Sequence, residues 1–354
     1  MGLFQVVGRK SQWEEILKNF KEADIYYSYE YGDLFAKQEG GELLTAYFED
    51  GYSKVLYPFI KRKVDWNEED IYDIVTPYGY GGPLIEGESK SIVQFYKLFE
   101  EYCQENKIIT ETIRFHPISK NYINCKKVMD VKYIRKTTAV DLTLPLEEIR
   151  ETYSPMNKRN IKRAIKEGIS CYVAEKTQEK IETFTKLYKR TMDRNNAESF
   201  YYFNKKYFFE LFKNTNINET NLLFAQYRGE IIAGVIVMKG PKYSHYHLGA
   251  SKTEFLYLKP NNCLFDFMIE FCKRRGSTHL HLGGGYQEND GLFKFKASFT
   301  NCNNFDFFIG KRVYDPKKYK EISESVLKKY KVNENYFPVY RGKMELFTNN
   351  DKKS

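Results

Sequence analysis

HLHLGGGYQENDGLFKFKASF, residues 279–299, is the most informative stretch of the chain. Its first four residues predict a strand, and this strand leads into three consecutive glycines: Gly283, Gly284 and Gly285. Glycine permits a positive φ and lets a backbone approach a ligand closely. Lys296 follows shortly after, and a lysine beside such a loop can stabilise a diphosphate or a developing oxyanion. A plain tight turn would use the same glycines, so both interpretations stay open.

The conformation of residues 292–299 affects which lysine accompanies the glycines. Lys294 and Lys296 would lie on the same side of an extended segment, but on different sides of a helix. The sequence predicts only a short segment here and leaves its type open.

A basic helix is predicted in SPMNKRNIKRAIKEG, residues 154–168. Ser154 is a candidate N-cap, Pro155 suits the first turn, and Gly168 suits the C-cap position. One side of the helix would carry five cations: Lys158, Arg159, Lys162, Arg163 and Lys166. A helix N-terminus attracts anions, so this stripe favours a phosphate-binding site, with an ordinary solvated basic face as the alternative.

A second glycine-rich turn, TPYGYGGP at residues 76–83, follows a predicted strand. Tyr78 and Tyr80 flank its first glycine, which suits a binding loop that presents aromatic rings. The alternative is a turn whose tyrosines cover the edge of a sheet.

Strands and helices alternate along the 354 residues, which predicts an α/β (α+β) fold with two domains. The first cycle ends with a strand predicted at 139–142. The second cycle contains helices predicted at 157–166 and 178–194, followed by a hairpin predicted around Arg228-Gly229. We therefore predict a first domain at 1–142, joined by the C-terminal tail 315–354, and a second domain at 143–314.

Composition and charge limit the function classes. The net charge of +9 favours phosphate-rich partners, although it is not extreme. The six cysteines form no C-x-x-C pair and suit a reducing compartment. No apolar run approaches the ~20 residues that span a bilayer, and the N-terminus has no signal-peptide layout. We predict a cytoplasmic protein, and the sequence leaves contact with a membrane surface open.

Other catalytic patterns are missing from the sequence. There is no G-x-S-x-G motif and no G-x-x-x-x-G-K-[ST] phosphate loop. His245/His247 and His279/His281 could each chelate a metal from one face of a strand, but no third ligand recurs nearby. Sheet packing explains these pairs better, and we predict no metal site.

Taken in order, these segments resemble the FemABX-type family of peptidoglycan-bridge transferases and the related BioF2-like acetyltransferases. The resemblance extends over most of the chain, and its matching stretches are 76–83, 154–168, 191–203, 222–237, 246–251, 282–285 and 293–299. The resemblance implies two tandem GNAT-like domains (acyl-CoA N-acyltransferase type) with a cleft between them. It also implies transfer of an acyl or aminoacyl group to an amine.

The resemblance also implies roles for individual residues. Lys296 corresponds to the lysine of a late Phe-Lys pair near the reacting groups, and Tyr246 or His247 to a polar aromatic at the cleft. Arg194 would help to hold the phosphates of the acceptor. In the first domain the candidates for substrate binding are Lys37, Arg114 and His116, beside Tyr78 and Tyr80.

The segment that binds the donor departs from the pattern of ordinary acetyltransferases. The glycine pattern that cradles the CoA diphosphate in ordinary acetyltransferases should fall near YLKPNNCLFDF, residues 257–267, where no glycine is present. No heptad insertion is found, so the chain resembles the compact, FemX-like form without a coiled-coil arm. We predict no tightly bound cofactor; the co-substrate is aminoacyl-tRNA, with acyl-CoA as the alternative.

Three functions follow as hypotheses. The first is transfer from aminoacyl-tRNA to a peptidoglycan precursor, a nucleotide- or lipid-linked muropeptide. The second is acyl-CoA-dependent N-acetylation of an amino sugar or another cell-envelope amine. The third is a non-enzymatic module that binds nucleic acid or a surface through the same basic residues.

Overall fold

The computed structural model describes residues 2–213, 215, 217–301, 303–333 and 336–346. The strands are β1 (Leu3–Val7), β2 (Glu42–Glu49), β3 (Ser53–Lys63), β4 (Tyr72–Val75), β5 (Leu84–Gly87), β6 (Ile108–Arg114), β7 (Asp130–Asp141), β8 (Ser170–Ala174), β9 (Glu219–Tyr227), β10 (Glu230–Lys239), β11 (Tyr243–Ser251), β12 (His279–Gly283), β13 (Asn304–Val313), β14 (Tyr330–Val332) and β15 (Lys343–Leu346).

The helices are α1 (Lys10–Leu17), α2 (Tyr29–Glu39), α3 (Ser91–Glu105), α4 (Tyr122–Cys125), α5 (Leu146–Glu151), α6 (Pro155–Lys166), α7 (Gln178–Arg194), α8 (Lys205–Leu211), α9 (Pro260–Arg274), α10 (Gly291–Ala297) and α11 (Pro316–Lys329). Within the described residues, no helix is both long enough and apolar enough to cross a membrane.

The chain divides into two compact units. Unit 1 comprises Met1–Lys21, Tyr31–Ile134 and Phe307–Ser354, and unit 2 comprises Glu22–Glu30 and Arg135–Asp306. The chain passes between the units four times: after Lys21, within α2 after Glu30, within β7 and within β13.

The strands of unit 1 lie in the order β1-β2-β3-β4-β6-β13, with β5 also paired to β3. Strands β4 and β6 run parallel, and α3 connects the β5 end of this region to β6. Helix α3 buries Phe95 and Phe99 because its apolar residues recur at helical spacing. Both rings pack with Tyr57 of β3 to form the centre of an aromatic core.

The strands of unit 2 lie in the order β7-β12-β11-β10-β9-β8. Strands β11 and β12 are parallel, and the others are antiparallel to their neighbours. Arg228 and Gly229 connect β9 to β10, and both have positive φ, as a two-residue hairpin turn requires. This is the hairpin that the sequence predicts.

Helices cover both faces of the unit 2 sheet. Alternate residues of β10, including Val235, pack in one core with Leu264 and Met268 of α9. On the opposite face, a Cβ at Gly234 would lie 3.0 Å from Phe184 of α7. Helix α9 is thereby fixed against the sheet, directly before β12 and the glycine loop.

Three local predictions can be compared with the structure. Helix α10 covers most of the segment 292–299, whose type the sequence leaves open, and in this helix Lys296 is buried and Lys294 is exposed. Strand β7 begins at Asp130, well before the strand predicted at 139–142. Its first half was missed because charged residues at 130, 132, 135 and 136 interrupt the apolar pattern there. The predicted helices at 157–166 and 178–194 are confirmed as α6 and α7.

Candidate active site

The candidate site lies in unit 2, where the parallel ladder between β11 and β12 stops. Only three residue pairs join these strands, the last being His245 with His281. Strand β11 nevertheless continues to Ser251, and β12 to Gly283. Beyond the last pair, residues 246–251 therefore have no partner strand on the β12 side within the described chain. Such a gap exposes a strand edge to an extended ligand.

The glycine loop follows directly after β12. Gly283 has φ of +74°, a conformation that favours glycine. Asp290 organises the rest of the loop, because its carboxylate accepts from the amides of Tyr286 and Gln287, and also from Phe293 at the start of α10. A Cβ at Gly285 would lie 1.9 Å from Asp290 Oδ1, so only glycine fits beneath this carboxylate.

Lys296 is anchored on this loop. Its side chain comes from α10, and Nζ donates to the carbonyl oxygen of Gly284 at 2.8 Å. The ammonium also lies 5.1 Å from the ring centroid of Tyr246, a cation–π distance. Lys296 is only 6% exposed, and this burial lowers the pKa of its ammonium to about 8.

Arg135 supports the loop from β7. Its Nη1 donates to the carbonyl oxygen of Gly285 at 2.8 Å, and also to that of Tyr286. The charge of Asp290 raises the pKa of Lys296, and the charge of Arg135 lowers it, although burial is the larger effect. These two residues were missed by the sequence reasoning. A sequence pattern could have identified Asp290, because aspartate is a preferred N-cap residue and Asp290 precedes α10. No such pattern marks Arg135.

Tyr246 and His247 point to different surroundings, as neighbours on a strand do. The Tyr246 ring packs 5.2 Å from that of Phe265 in α9, and burial raises the pKa of its hydroxyl, which stays protonated. His247 Nε2 lies 2.6 Å from the hydroxyl of Tyr207. Burial, helped by the nearby His245, lowers the pKa of His247 to about 3, so its imidazole is neutral at physiological pH.

A polar network joins the N-termini of α6 and α9 to the end of α10. Asn157 donates from Nδ2 to Ser298 Oγ at 2.7 Å, and Asn262 donates from Nδ2 to Asn157 Oδ1 at 2.9 Å. Ser298 comes two residues after Lys296, so the first turns of both helices are tied to the lysine-bearing helix. Sequence reasoning did not identify this network.

The basic residues of α6 point outward. Asn157, Ile161 and Ala164 are buried, and the five cations are all exposed. Lys158 donates to the carbonyl oxygen of Glu151. The side chains of Arg159, Lys162, Arg163 and Lys166 make no hydrogen bond or ion pair with the described residues, and we call these four the α6 basic face.

Arg194 lies at the C-terminal end of α7. Its guanidinium donates to the carbonyl oxygen of Ser251 at 2.8 Å and to Thr253 Oγ1 at 3.0 Å. These contacts hold the end of β11. They occupy only part of the guanidinium, which has five N–H donors.

Four of the candidate residues of unit 1 lie in or beside the TPYGYGGP turn. Arg114 donates to the carbonyl oxygen of Thr76 at 3.1 Å, and the Tyr80 ring lies edge-on to His116 at 6.0 Å. Tyr78 accepts at its carbonyl from the Tyr31 hydroxyl. The TPYGYGGP turn therefore lies beside the end of β6. Lys37 is exposed on α2, where it pairs with Asp33.

The three other histidines of the unit 2 strands have separate contacts. His245 Nε2 lies 2.6 Å from Asp24 Oδ2, and His281 Nε2 lies 2.9 Å from Thr137 Oγ1. His279 packs edge-on to Tyr243.

Comparison with known proteins bears on the whole arrangement. Residues 156–296 match a family model described as the acetyltransferase (GNAT) domain. The solved structure of FemX has a TM-score of 0.68 at 13% identity, covering 90% of this chain and 99% of its own. The chain carries a GNAT acyltransferase domain and has a FemX-like fold. The predictions of an N-acyltransferase enzyme, of tandem GNAT-like domains and of FemX resemblance are confirmed.

Two further solved structures share the FemX-like fold. L-PGS from Bacillus licheniformis has a TM-score of 0.57 at 14% identity and covers 89% of this chain and 95% of its own. The C-terminal domain of a putative lysylphosphatidylglycerol synthetase from Agrobacterium fabrum has a TM-score of 0.55 at 13% identity, covering 90% and 98%. No curated protein sequence matches significantly.

Proposed function

We propose that this FemX-like acyltransferase moves an aminoacyl group from aminoacyl-tRNA to an amine of a phosphate-rich peptidoglycan precursor. The observation that carries the proposal is Lys296: a buried lysine at the open end of the β11–β12 ladder, with one donor on Gly284. Its other N–H donors make no hydrogen bond to the described residues. They are available to a reacting carbonyl oxygen.

The reaction forms an amide at the expense of an ester. The neutral amine of the acceptor attacks the ester carbonyl carbon, and the oxygen becomes an oxyanion. Lys296 stabilises this charge, and the enclosed site strengthens the interaction. As the oxyanion collapses, the C–O bond to ribose breaks, and the ribose hydroxyl leaves with a proton that the amine has lost. Holding the amine and ester together supplies much of the rate.

Two features of unit 2 favour tRNA as the donor. Helix α9 begins at Pro260 without a preceding glycine, and Lys259 has φ of +62°, so a side chain occupies the position where a bare backbone would cradle a diphosphate. The α6 basic face offers four exposed cations to a phosphate backbone. FemX and the lysylphosphatidylglycerol synthetases are the relatives on which the choice of an aminoacyl group rests.

An acyl-CoA donor is the second candidate. The match of residues 156–296 to the acetyltransferase family favours it, and the open edge of β11 suits the extended arm of a thioester. The acceptor would then be an amino sugar or another cell-envelope amine.

The proposal extends to residues that would hold the acceptor. In unit 1 these are Tyr78, Tyr80, Arg114 and His116, which lie in or beside the TPYGYGGP turn, and Lys37 on α2. In unit 2, Arg194 has unused donors. Lysylphosphatidylglycerol synthetase as a relative makes a lipid-linked acceptor a natural variant of the nucleotide-linked one.

A donor competition tests the proposal. The protein is incubated with a UDP-linked muropeptide, and with either labelled aminoacyl-tRNA or labelled acetyl-CoA, at matched concentrations. Label in the muropeptide from aminoacyl-tRNA alone supports the proposal. Label from acetyl-CoA alone establishes the second candidate instead. Raising the salt concentration should weaken only the tRNA-dependent reaction.

A further inference from the structure

Two free cysteines of unit 2 lie side by side although they are far apart in sequence. Cys171 is on β8, and Cys263 is in the first turn of α9. Their sulfur atoms are 3.6 Å apart across a separation of 92 residues. A disulfide needs a sulfur–sulfur distance of about 2.0 Å, so the thiols must approach by roughly 1.6 Å. Small side-chain rotations of both residues can supply part of this movement.

The pair differs from the other cysteines that the structure describes. Cys103, Cys125 and Cys272 are buried, and burial raises the pKa of each thiol. Cys171 is half-buried and thus partly open to solvent. Its S–H donates to Cys263 and lowers the pKa of that thiol, so this sulfur is the better nucleophile.

We propose that Cys171 and Cys263 form an oxidation site that hydrogen peroxide converts reversibly into a disulfide. One thiolate attacks the peroxide, the O–O bond breaks, and the sulfur becomes a sulfenic acid as hydroxide leaves. The second thiolate attacks that sulfur, the S–S bond forms, and the S–O bond breaks with loss of a second hydroxide. The two thiol protons convert both hydroxides to water, and a dithiol reductant reverses the change.

The linkage would act on the first turn of α9. It would tie the edge strand β8 to this turn, immediately beside Asn262. Asn262 donates to Asn157, which in turn holds Ser298 at the end of α10. Drawing Cys263 toward β8 therefore strains the network that fixes the lysine-bearing helix. Slower acyl transfer by the oxidised protein is a further expectation, which rests on the proposed function, whereas formation of the disulfide does not.

Peptide mapping of the full chain tests the site. The protein is treated with equimolar to tenfold hydrogen peroxide, free thiols are alkylated, and the digest is analysed by mass spectrometry with and without dithiothreitol. The expected result is one dithiothreitol-sensitive species that links the peptides of Cys171 and Cys263. The oxidised protein should also have a higher Tm, because the crosslink restricts the unfolded chain.

Single substitutions supply the controls. Cys171→Ser and Cys263→Ser should each abolish the linked species, while Cys272→Ala, in the same helix, should retain it. Full alkylation of both thiols after peroxide treatment, or a linked species made by other cysteines alone, would overturn the proposal. Mapping of the wild-type chain distinguishes these outcomes even if a variant does not fold. An absent linkage together with normal aminoacyl transfer would refute only the oxidation site.

Discussion

Lys296 places a positive charge in a site where burial disfavours it. Its pKa is lowered to about 8, whereas an unfolded lysine titrates near 10.5. At pH 7 the ammonium is charged in both states, so the folded protein bears the electrostatic penalty. Between about pH 8 and 10 the unfolded chain binds the extra proton, and stability should rise with pH over that window.

Lys296→Met removes this penalty while keeping the apolar stem. We expect the free energy of unfolding at pH 7 to rise by about 1–3 kcal/mol. This is the net change after the lost hydrogen bond to Gly284 is subtracted from the penalty of the buried ammonium. Urea unfolding measures the difference. Lys294→Met on the exposed side of α10 is the matched control and should change little. A marked loss of stability in Lys296→Met would contradict the claim that the buried ammonium destabilises the folded protein.

The pH dependence of transfer should report the same ammonium. If Lys296 must be charged to stabilise the oxyanion, kcat falls as pH rises through about 8. Arg135→Gln removes a neighbouring positive charge and should move the fall to higher pH, whereas Asp290→Asn removes a negative charge and should move it to lower pH. Steady-state kinetics across pH 6–10 test this. Shifts in the same direction for both variants would indicate a merely structural effect.

At the scale of the elements, the glycine loop requires glycine at position 285. A Cβ at Gly285 would overlap the Asp290 carboxylate, while a Cβ at Gly291 meets nothing within 4 Å. Gly285→Ala should therefore displace the cap of α10, lower stability by roughly 1–3 kcal/mol and reduce transfer. Gly291→Ala, six residues later, should leave both unchanged or raise stability slightly. Thermal unfolding and the transfer assay compare the pair, and equal effects would contradict the role given to Asp290.

The α6 basic face is the element proposed to contact tRNA. A triple variant, Arg159→Gln with Lys162→Gln and Lys166→Gln, should weaken tRNA binding about tenfold or more. The slope of the logarithm of the binding constant against the logarithm of salt concentration should become less negative by roughly 2–3. The matched control neutralises three exposed lysines of α11: Lys317, Lys328 and Lys329. Fluorescence titrations at several salt concentrations measure both. Equal losses in the two variants would mean that net charge, rather than α6, governs binding.

At the scale of the whole molecule, elements with strong periodicity were predictable. Helix α7 buries Ile181, Phe184 and Tyr188 at helical spacing, and its predicted bounds agree with the structure. Strand β7 was predicted only from residue 139. Its first half, from Asp130, has no sustained alternation of apolar residues, and pairing with neighbouring strands imposes the extended conformation. Helix α2 was missed because two of its four buried residues, Gly32 and Ala36, are small, so that Tyr31 and Phe35 alone mark its apolar side.

The candidate site was only partly predictable. The glycines and Lys296 stand close together in sequence, so their proximity was foreseeable, although the helical form of α10 was not. The contact of Arg135 with Gly285 spans 150 residues and follows from strand order alone. The Asn157–Asn262 contact likewise depends on how α6 packs against α9. Without the order of strands, no local pattern identifies such pairs.

The most direct test of the central claim is single-turnover transfer by wild type and Lys296→Met. Labelled aminoacyl-tRNA and a UDP-linked muropeptide are mixed with excess enzyme, and label in the muropeptide is followed with time. We expect the variant to bind both substrates but to transfer at least ~100-fold more slowly, the order of loss seen when one oxyanion donor is removed. Transfer at the wild-type rate would contradict the assignment of Lys296 as the residue that stabilises the oxyanion.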